Sequence, residues 1–293
     1  FRKILLASVQ GKSIKEKIKP WLRMKLRFLK PKLPGVKEPR TGLSMGESTE
    51  IIAKKYHISR QSQDELALES HINTAKAYDE GFYQNLVHPF KGIHEDNIMR
   101  RNIAIDKLKL LKTVFDKSEQ GSMTPGNSTS LTDGAAAVLL SSEEWAHNNN
   151  LRIEAYLTHC EIAAIDYIND EGLLMAPAYA VSSMLRKANL TLQDFDFYEI
   201  HEAFAAQTLA TLKAWESIDF CRSKLNRDIV MGSIDSSKLN IKGGSLAIGH
   251  PFAATGARII ATMAKLLNEK GSGRGLISIC TAGGMGITAI MEK

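Results

Sequence analysis

Nothing in this 293-residue chain approaches the ~20 consecutive apolar residues that cross a bilayer as a helix. Its opening, FRKILLASVQ, has neither the apolar core nor the small-residue cleavage site of a secretory signal. Nor does it open on Met, and we expect a chain that starts inside a longer protein. Cysteine is scarce. Cys160, Cys221 and Cys280 form no CxxC pair, which excludes a disulfide framework, suits a reducing compartment and makes any cysteine function individual. No second ligand type recurs at metal spacing around His57 and His71, so no metal is expected. Core material is plentiful: with 44% hydrophobic residues the chain can bury a sizeable core, as one large or two smaller globular domains.

Acidic charge is nearly absent from the first forty residues. Thirteen Lys or Arg stand there against two Glu, a balance of +11 that leaves −5 for the rest of a chain whose net charge is +6. The centre of this arm, residues 12–37, alternates bases with Trp21, Leu22, Met24, Leu26, Phe28 and Leu29. Pro20, Pro31 and Pro34 limit any helix in it to about ten residues. Bases interleaved with Trp, Leu and Phe suit an anionic membrane surface or an acidic partner. Equally, the arm reads as an excursion that packs its apolar side on the parent fold and exposes its bases. No groove-reading or base-stacking motif accompanies it, which argues against nucleic acid.

Past the arm, GESTEIIAKKYHISRQSQDELALESHINTAKAYDEG predicts two helices. The second has Ser59 as N-cap, carries Leu66, Leu68, Ile72 and Ala75, and ends near Gly81. His57 and His71 read there as partly exposed helix residues. A polar, weakly periodic connection follows. Residues 135–140, small and apolar throughout, predict a strand buried on both faces. Strands and helices then alternate: RIEAYLTHCEIAA and FDFYEI read as strands, AYAVSSMLRKANL and AFAAQTLATLKAW as helices. A further helix carries Ile259, Ile260, Met263, Leu266 and Leu267 on one face and stops at Gly271, before two strands joined by a glycine turn. This order predicts an α/β layered sheet with crossover helices, whose ligands gather beyond the strand ends.

Three positions meet that criterion: His201 after FDFYEI, His250 at a helix entry, and Cys280 beside TAGGMG. Gly249 and Pro251 hold His250 on a tight turn. The glycines after Cys280 let the backbone pass close to a ligand with N–H groups pointing at it, as an oxyanion site requires. They come from separated places in the sequence, and a fold that brings them together would have a thiol, an imidazole and a second imidazole or the Glu202 carboxylate at one mouth. Cys160 and Cys221 have no comparable setting.

Four ordered stretches, MTPGNSTSLTDGAAAVLL, HEAFAAQ, GGSLAIGHPFAATGARI and CTAGGMG, resemble the thiolase family along nearly the whole chain. Where most thiolases carry Asn-Glu-Ala-Phe, this chain has His201-Glu202-Ala203-Phe204, which with the basic arm resembles the β subunit of the fatty-acid oxidation trifunctional complex. The resemblance implies a thiolase-like layered αβαβα architecture, here mainly the loop domain and the C-terminal half. It places a loop domain with its arm at 1–130, the last strand region of the N-terminal domain at 131–148, and the C-terminal domain at 149–293.

The implied activity is CoA-dependent cleavage of a 3-ketoacyl-CoA to acetyl-CoA and a shortened acyl-CoA in fatty-acid β-oxidation. Coenzyme A is then a co-substrate, with no cofactor bound permanently. By this resemblance Cys280 is the acid that protonates the departing enolate and the base that later deprotonates CoA. For a thiol with an ordinary pKa near ~8.5 this needs modest tuning. His250 assists the nucleophile and donates to the thioester oxyanion, and His201 replaces an Asn that holds a water there. Ala282 stands where the family has Gly and supplies a second oxyanion hole through its backbone N–H. Ala203 and Phe204 line the pantetheine path, and Thr129 replaces a CoA-contacting Ser. The family's nucleophilic Cys lies in its N-terminal domain, and this chain has no Cys before Cys160, so the chain alone is expected to be inactive. The resemblance further implies a homodimer and a hydratase-dehydrogenase α subunit as partner. The location it implies is the bacterial cytoplasm or the mitochondrial matrix, peripheral to a membrane if the arm binds one. The competing expectation is a non-catalytic thiolase-like protein that binds acyl-CoA, lipid or another subunit.

Overall fold

The computed structural model describes residues 2–25, 35–169 and 171–293, and divides into two compact units, Phe1–Val36 and Lys37–Lys293. In the first unit, α1 (Arg2–Gln10) and α2 (Ile14–Ile18) precede a 3-10 turn, Trp21–Arg23. Ser13 caps α2, its Oγ accepting from Glu16 N at 3.3 Å, and Ser8 Oγ donates to Lys17 O at 2.8 Å. Neither helix buries a residue, and Val9, Ile14 and Leu22 are exposed. The arm's Leu26, Phe28 and Leu29, with Pro31 and Pro34, lie outside the described residues.

The second unit opens with α3 (Met45–Lys55), α4 (Arg60–Asp79), α5 (Ile105–Lys109) and α6 (Glu143–Asn148). It continues as β1 (Tyr156–Ala164), α7 (Ala176–Ala188), β2 (Phe197–Ile200), α8 (Ala205–Glu216), α9 (Ile218–Leu225), α10 (Ser245–Ile248), α11 (Thr255–Lys270), β3 (Arg274–Thr281) and β4 (Met285–Glu292). The strands form one mixed sheet in the order β1-β4-β3-β2. β4 is antiparallel to both β1 and β3, which suits the short glycine turn between β3 and β4. β2 runs parallel to β3, so the chain must cross over between them, and α8 to α11 make that crossover.

Period-two alternation in β3 and β4 feeds two cores. Leu276 and Ile290 face α7, joining Val181, Met184, Leu185, Tyr198 and Trp215, while Ile277, Ala289 and Met291 meet Ile259, Met263 and Leu267 of α11. The sheet thus lies between helical layers, the α/β layering expected. Fixed on both faces, it holds the β2 and β3 ends, where His201 and Cys280 lie, in a set relation.

Three local expectations change. Residues 135–140 join no strand, and Leu139 and Leu140 are exposed at 74% and 64%. A strand is buried only where neighbours take its hydrogen bonds, and the described strands pair with one another instead. Helix α4 does begin at the Ser59 cap, but it buries Gln63, Asp64, Ala67, Ser70, His71, Thr74 and Ala77 and exposes Ile72. Its polar face is inward because it meets hydrogen-bonding partners: Asp64 takes Arg60 Nε at 2.7 Å and Asn127 Nδ2 at 2.9 Å, and Ser70 Oγ donates to Glu202 Oε2 at 2.7 Å. His71 is buried rather than partly exposed, its Nδ1 accepting from Arg100 N at 3.1 Å, while His57 is exposed. Lastly, α11 starts at Thr255, so His250 and Pro251 occupy a turn between α10 and α11 rather than a helix entry. Ala253 in that turn has φ +65°, a left-handed conformation that breaks the helix before it can reach back to Pro251.

Candidate active site

The end of β2 is clamped before the site begins. Asn240 Oδ1 accepts from Ile200 N, and its Nδ2 donates to Ile200 O, both at 2.9 Å, and also to Glu202 Oε1 at 2.7 Å. Glu202 spends its carboxylate on Ser70 and on Leu246 N, at 3.1 Å, so it anchors α10 instead of facing a ligand. Gly244 is required for that approach, because a Cβ there would stand 2.3 Å from Glu202 Oε2.

His201 follows β2 directly. Its N–H extends the parallel ladder to Ser278 O at 2.9 Å, two residues before Cys280 on β3. The ring is 1% exposed, with Nδ1 2.9 Å from Ser245 Oγ and no partner at Nε2. His250 reaches the same point from the α10–α11 turn, where Gly249 has φ +98° and its N–H bonds Ser245 O, while His250 N donates to Ser130 O at 3.0 Å. The His201 and His250 ring centroids lie 4.3 Å apart at 46°. Burial foremost, then the neighbouring His250 ring and the Arg258 charge, holds His201 well below the ordinary imidazole range, and burial with Arg258 lowers His250. Both rings are therefore neutral at pH 7. Thr255 Oγ1 donates to Pro251 O at 3.3 Å and so accepts from His250 Nδ1 at 2.7 Å, which leaves a lone pair on His250 Nε2. A cleft of about 330 Å3 lined by residues 131–134 and 250–252 opens beside it.

Cys280 packs with Leu173, Leu174, Ala203 and partly buried Phe204. Gln207 Nε2 donates to Thr211 Oγ1 at 3.0 Å, which turns Gln207 Oε1 toward Cys280 Sγ, 3.6 Å away, to accept the thiol proton. Burial pushes this thiol up to about 12, far from the modest tuning expected, because a thiolate there would lose its water. Thr129 N donates to Ala203 O at 3.1 Å, and its Oγ1 donates to Ser245 O at 2.6 Å. Phe204 meets Phe115 edge-on at 5.8 Å.

Of the residues singled out from the sequence, His201 and His250 touch, Cys280 shares a cluster with Ala203 and Phe204, and Thr129 ties that cluster to α10. Ala282 is exposed on the β3–β4 turn, two residues after Cys280, with exposed Gly283 and buried Gly284. Cys160 is exposed on β1, and Cys221 is buried with its Sγ 3.5 Å from Trp215 O. Among the described residues no group of three His, Cys, Asp or Glu could hold a metal ion. Sequence reasoning missed Asn240, Gln207, Ser245 and Arg258. Ser245, Arg258 and Gln207 lay inside quoted motifs, but only tertiary contacts assign them partners.

Residues 15–144 match the domain family described as Thiolase, N-terminal domain, and residues 151–293 match Thiolase, C-terminal domain. A 3-ketoacyl-CoA thiolase of Yersinia enterocolitica is 44% identical over 289 residues, 97% of this chain and 66% of that protein. The chain thus spans about two thirds of the length of such relatives. Among solved structures, the Bacillus anthracis acetyl-CoA acetyltransferase superposes with a TM-score of 0.76 at 31% identity, covering 92% of this chain and 67% of that one. Human mitochondrial 3-ketoacyl-CoA thiolase in complex with CoA does so with a TM-score of 0.73 at 29% identity, covering 97% and 64%.

Proposed function

The chain belongs to the thiolase family, and from that premise we propose that the protein cleaves 3-ketoacyl-CoA with coenzyme A, giving acetyl-CoA and an acyl-CoA shortened by that acetyl unit. The observation that carries this reading is the neutral His201–His250 pair at 4.3 Å, joined through His201 N to the same strand, β3, that holds the buried, oriented Cys280 thiol. In the first half-reaction a thiolate nucleophile bonds to the keto carbon, the C2–C3 bond breaks, and the acetyl-CoA enolate takes the Cys280 proton. None of the chain's three cysteines stands where the family resemblance expects that nucleophile. In the second half the Cys280 thiolate removes the proton of CoA, and the CoA sulfur takes the acyl group. A conjugate acid near 12 makes Cys280 a strong enough base for a CoA thiol of ordinary pKa, about 8.5, and the raised value therefore serves this half most. His250, with its free Nε2 lone pair, takes the nucleophile's proton and then donates to the oxyanion. His201 donates to the same oxyanion or to a water held there, and the Ala282 N–H serves a second one.

Thr129, Ala203 and Phe204 would guide pantetheine. Two copies would pair as a homodimer, and the arm would meet either a hydratase-dehydrogenase α subunit or an anionic membrane, in a bacterial cytoplasm or a mitochondrial matrix. Among the described residues no helix is long and apolar enough to cross a membrane. The protein, expressed as its gene encodes it, should convert a 3-ketoacyl-CoA and CoA into equal amounts of the two products by mass spectrometry. Acyl-CoA binding without CoA-dependent cleavage would sink the proposal.

A further inference from the structure

We propose that Ser245 and Arg258 are positioning residues that fix His201 as the Nε2–H tautomer, so that its ring presents a donor and not a lone pair to an approaching oxygen. The inference starts from donors and acceptors alone. A guanidinium has only donors. Arg258, on the first turn of α11, reaches Ser245 Oγ through Nη2 at 3.1 Å, so that oxygen accepts. Ser245 is fully buried, and the acceptor available to its hydroxyl hydrogen among the described contacts is His201 Nδ1, at 2.9 Å. Were Nδ1 protonated, Ser245 would accept twice and its own hydrogen would be stranded in a dry site, an unfavourable arrangement. The ring proton therefore sits on Nε2, which is buried with no partner in the protein.

Both positioning groups come from elements that the site already holds in place. Ser245 begins α10, whose carbonyl is tied by Thr129 Oγ1 and whose Leu246 N–H is tied by Glu202. Arg258 Nε and Nη1 make no hydrogen bond, so the contact to Ser245 is the one that its guanidinium makes among the described residues. Buried Glu199 is pushed up to about 8 chiefly by loss of water, against the opposing pull of the Arg258 charge, and among the described residues the two form no salt bridge. The contrast with His250 is chemical: there the partner hydroxyl donates to a carbonyl, and the ring is set with its lone pair at Nε2. Two rings in contact are thus set for opposite tasks, one as donor and one as base.

The kinetic part of this inference rests on the thiolase reading, whereas the tautomer does not. Histidine labelled with 15N in the ring, incorporated into the protein as its gene encodes it and assigned with His201→Gln, reports the tautomer directly. The wild type should show His201 with a bare Nδ1 and a protonated Nε2. Ser245→Ala and Arg258→Leu should each shift it toward a mixture, and Arg258→Lys, which keeps a donor, should restore the wild-type pattern. If these variants also lower kcat by about 10- to 10²-fold with KM little changed, the range for partners that orient a functional imidazole, the positioning role holds. A protonated Nδ1 in the wild type overturns the proposal, as does an unchanged tautomer in folded Ser245→Ala. Should Ser245→Ala not fold, the wild-type spectrum and Arg258→Leu still decide. The expected tautomer in a protein without thiolysis would leave this inference standing and sink the functional one.

Discussion

His250 is useful because its backbone is fixed before any substrate arrives. Its N–H is tied to Ser130 O, Gly249 turns the chain at φ +98°, and Thr255 sets the ring. A preaimed donor acts on charge as it develops, so His250→Ala should lower kcat by about 10² to 10³, read from steady-state rates. A change confined to KM would make it a binding residue instead. The site was partly legible at this scale. His201, His250 and Cys280 stand out as reactive side chains beside turns and glycines, whereas Ser245, Arg258, Gln207 and Asn240 matter through partners 13 to 73 residues away. Distances of that kind have no signature in a linear pattern.

Helix α4 shows how an element contributes to acid sensitivity. His71 on its buried face accepts from Arg100 N–H through Nδ1, which requires a neutral ring, and burial with the Arg100 charge lowers it to about 4. The folded pKa lies below the ordinary value, about 6.5, so an unfolded chain binds the proton first. Stability is then fully present above about pH 6.5 and declines as pH falls toward 4, by up to about 1.4 kcal/mol per pH unit. His71→Asn, whose Oδ1 can accept the same N–H, should flatten that decline in urea midpoints measured from pH 7 to 4. An equally steep decline in the variant would remove His71 as a cause, leaving His201 and His250, whose shifts have the same sign. The alternation of strand-like and helix-like stretches located β1 to β4, α7, α8 and α11, with α7 and α11 turning one apolar face inward and β3 and β4 apolar on both. It failed at α4, where polar residues turn inward to partners, at residues 135–140, where composition alone suggested a buried strand, and at α10, too short to carry a period.

At the scale of the whole molecule, charge and chemistry occupy different parts of the chain. The first forty residues hold +11, and α1 and α2 bury nothing while Val9, Ile14 and Leu22 are exposed. Replacing Lys15, Lys17, Lys19, Arg23 and Lys25 by Gln should weaken co-sedimentation with anionic vesicles or co-purification with an α subunit, and spare thiolysis of a short soluble substrate. Lipid attraction should fade between 0.1 M and 1 M salt as the Debye length falls from roughly 10 Å to 3 Å, while a subunit interface with an apolar centre should persist. Associations unchanged at low salt would make the arm a solvated excursion.

The account as a whole stands on Cys280 as the group that gives and then takes the proton in a dry pocket. Cys280→Ser keeps the size of the side chain but offers a hydroxyl too weak an acid and too weak a base to serve either half-reaction. Turnover of a 3-ketoacyl-CoA with CoA, measured for wild type and for Cys280→Ser of confirmed native fold, tests this most directly. The account predicts a loss of about 10² to 10⁴ in kcat, the range for general acid–base groups; turnover at the wild-type rate would contradict it.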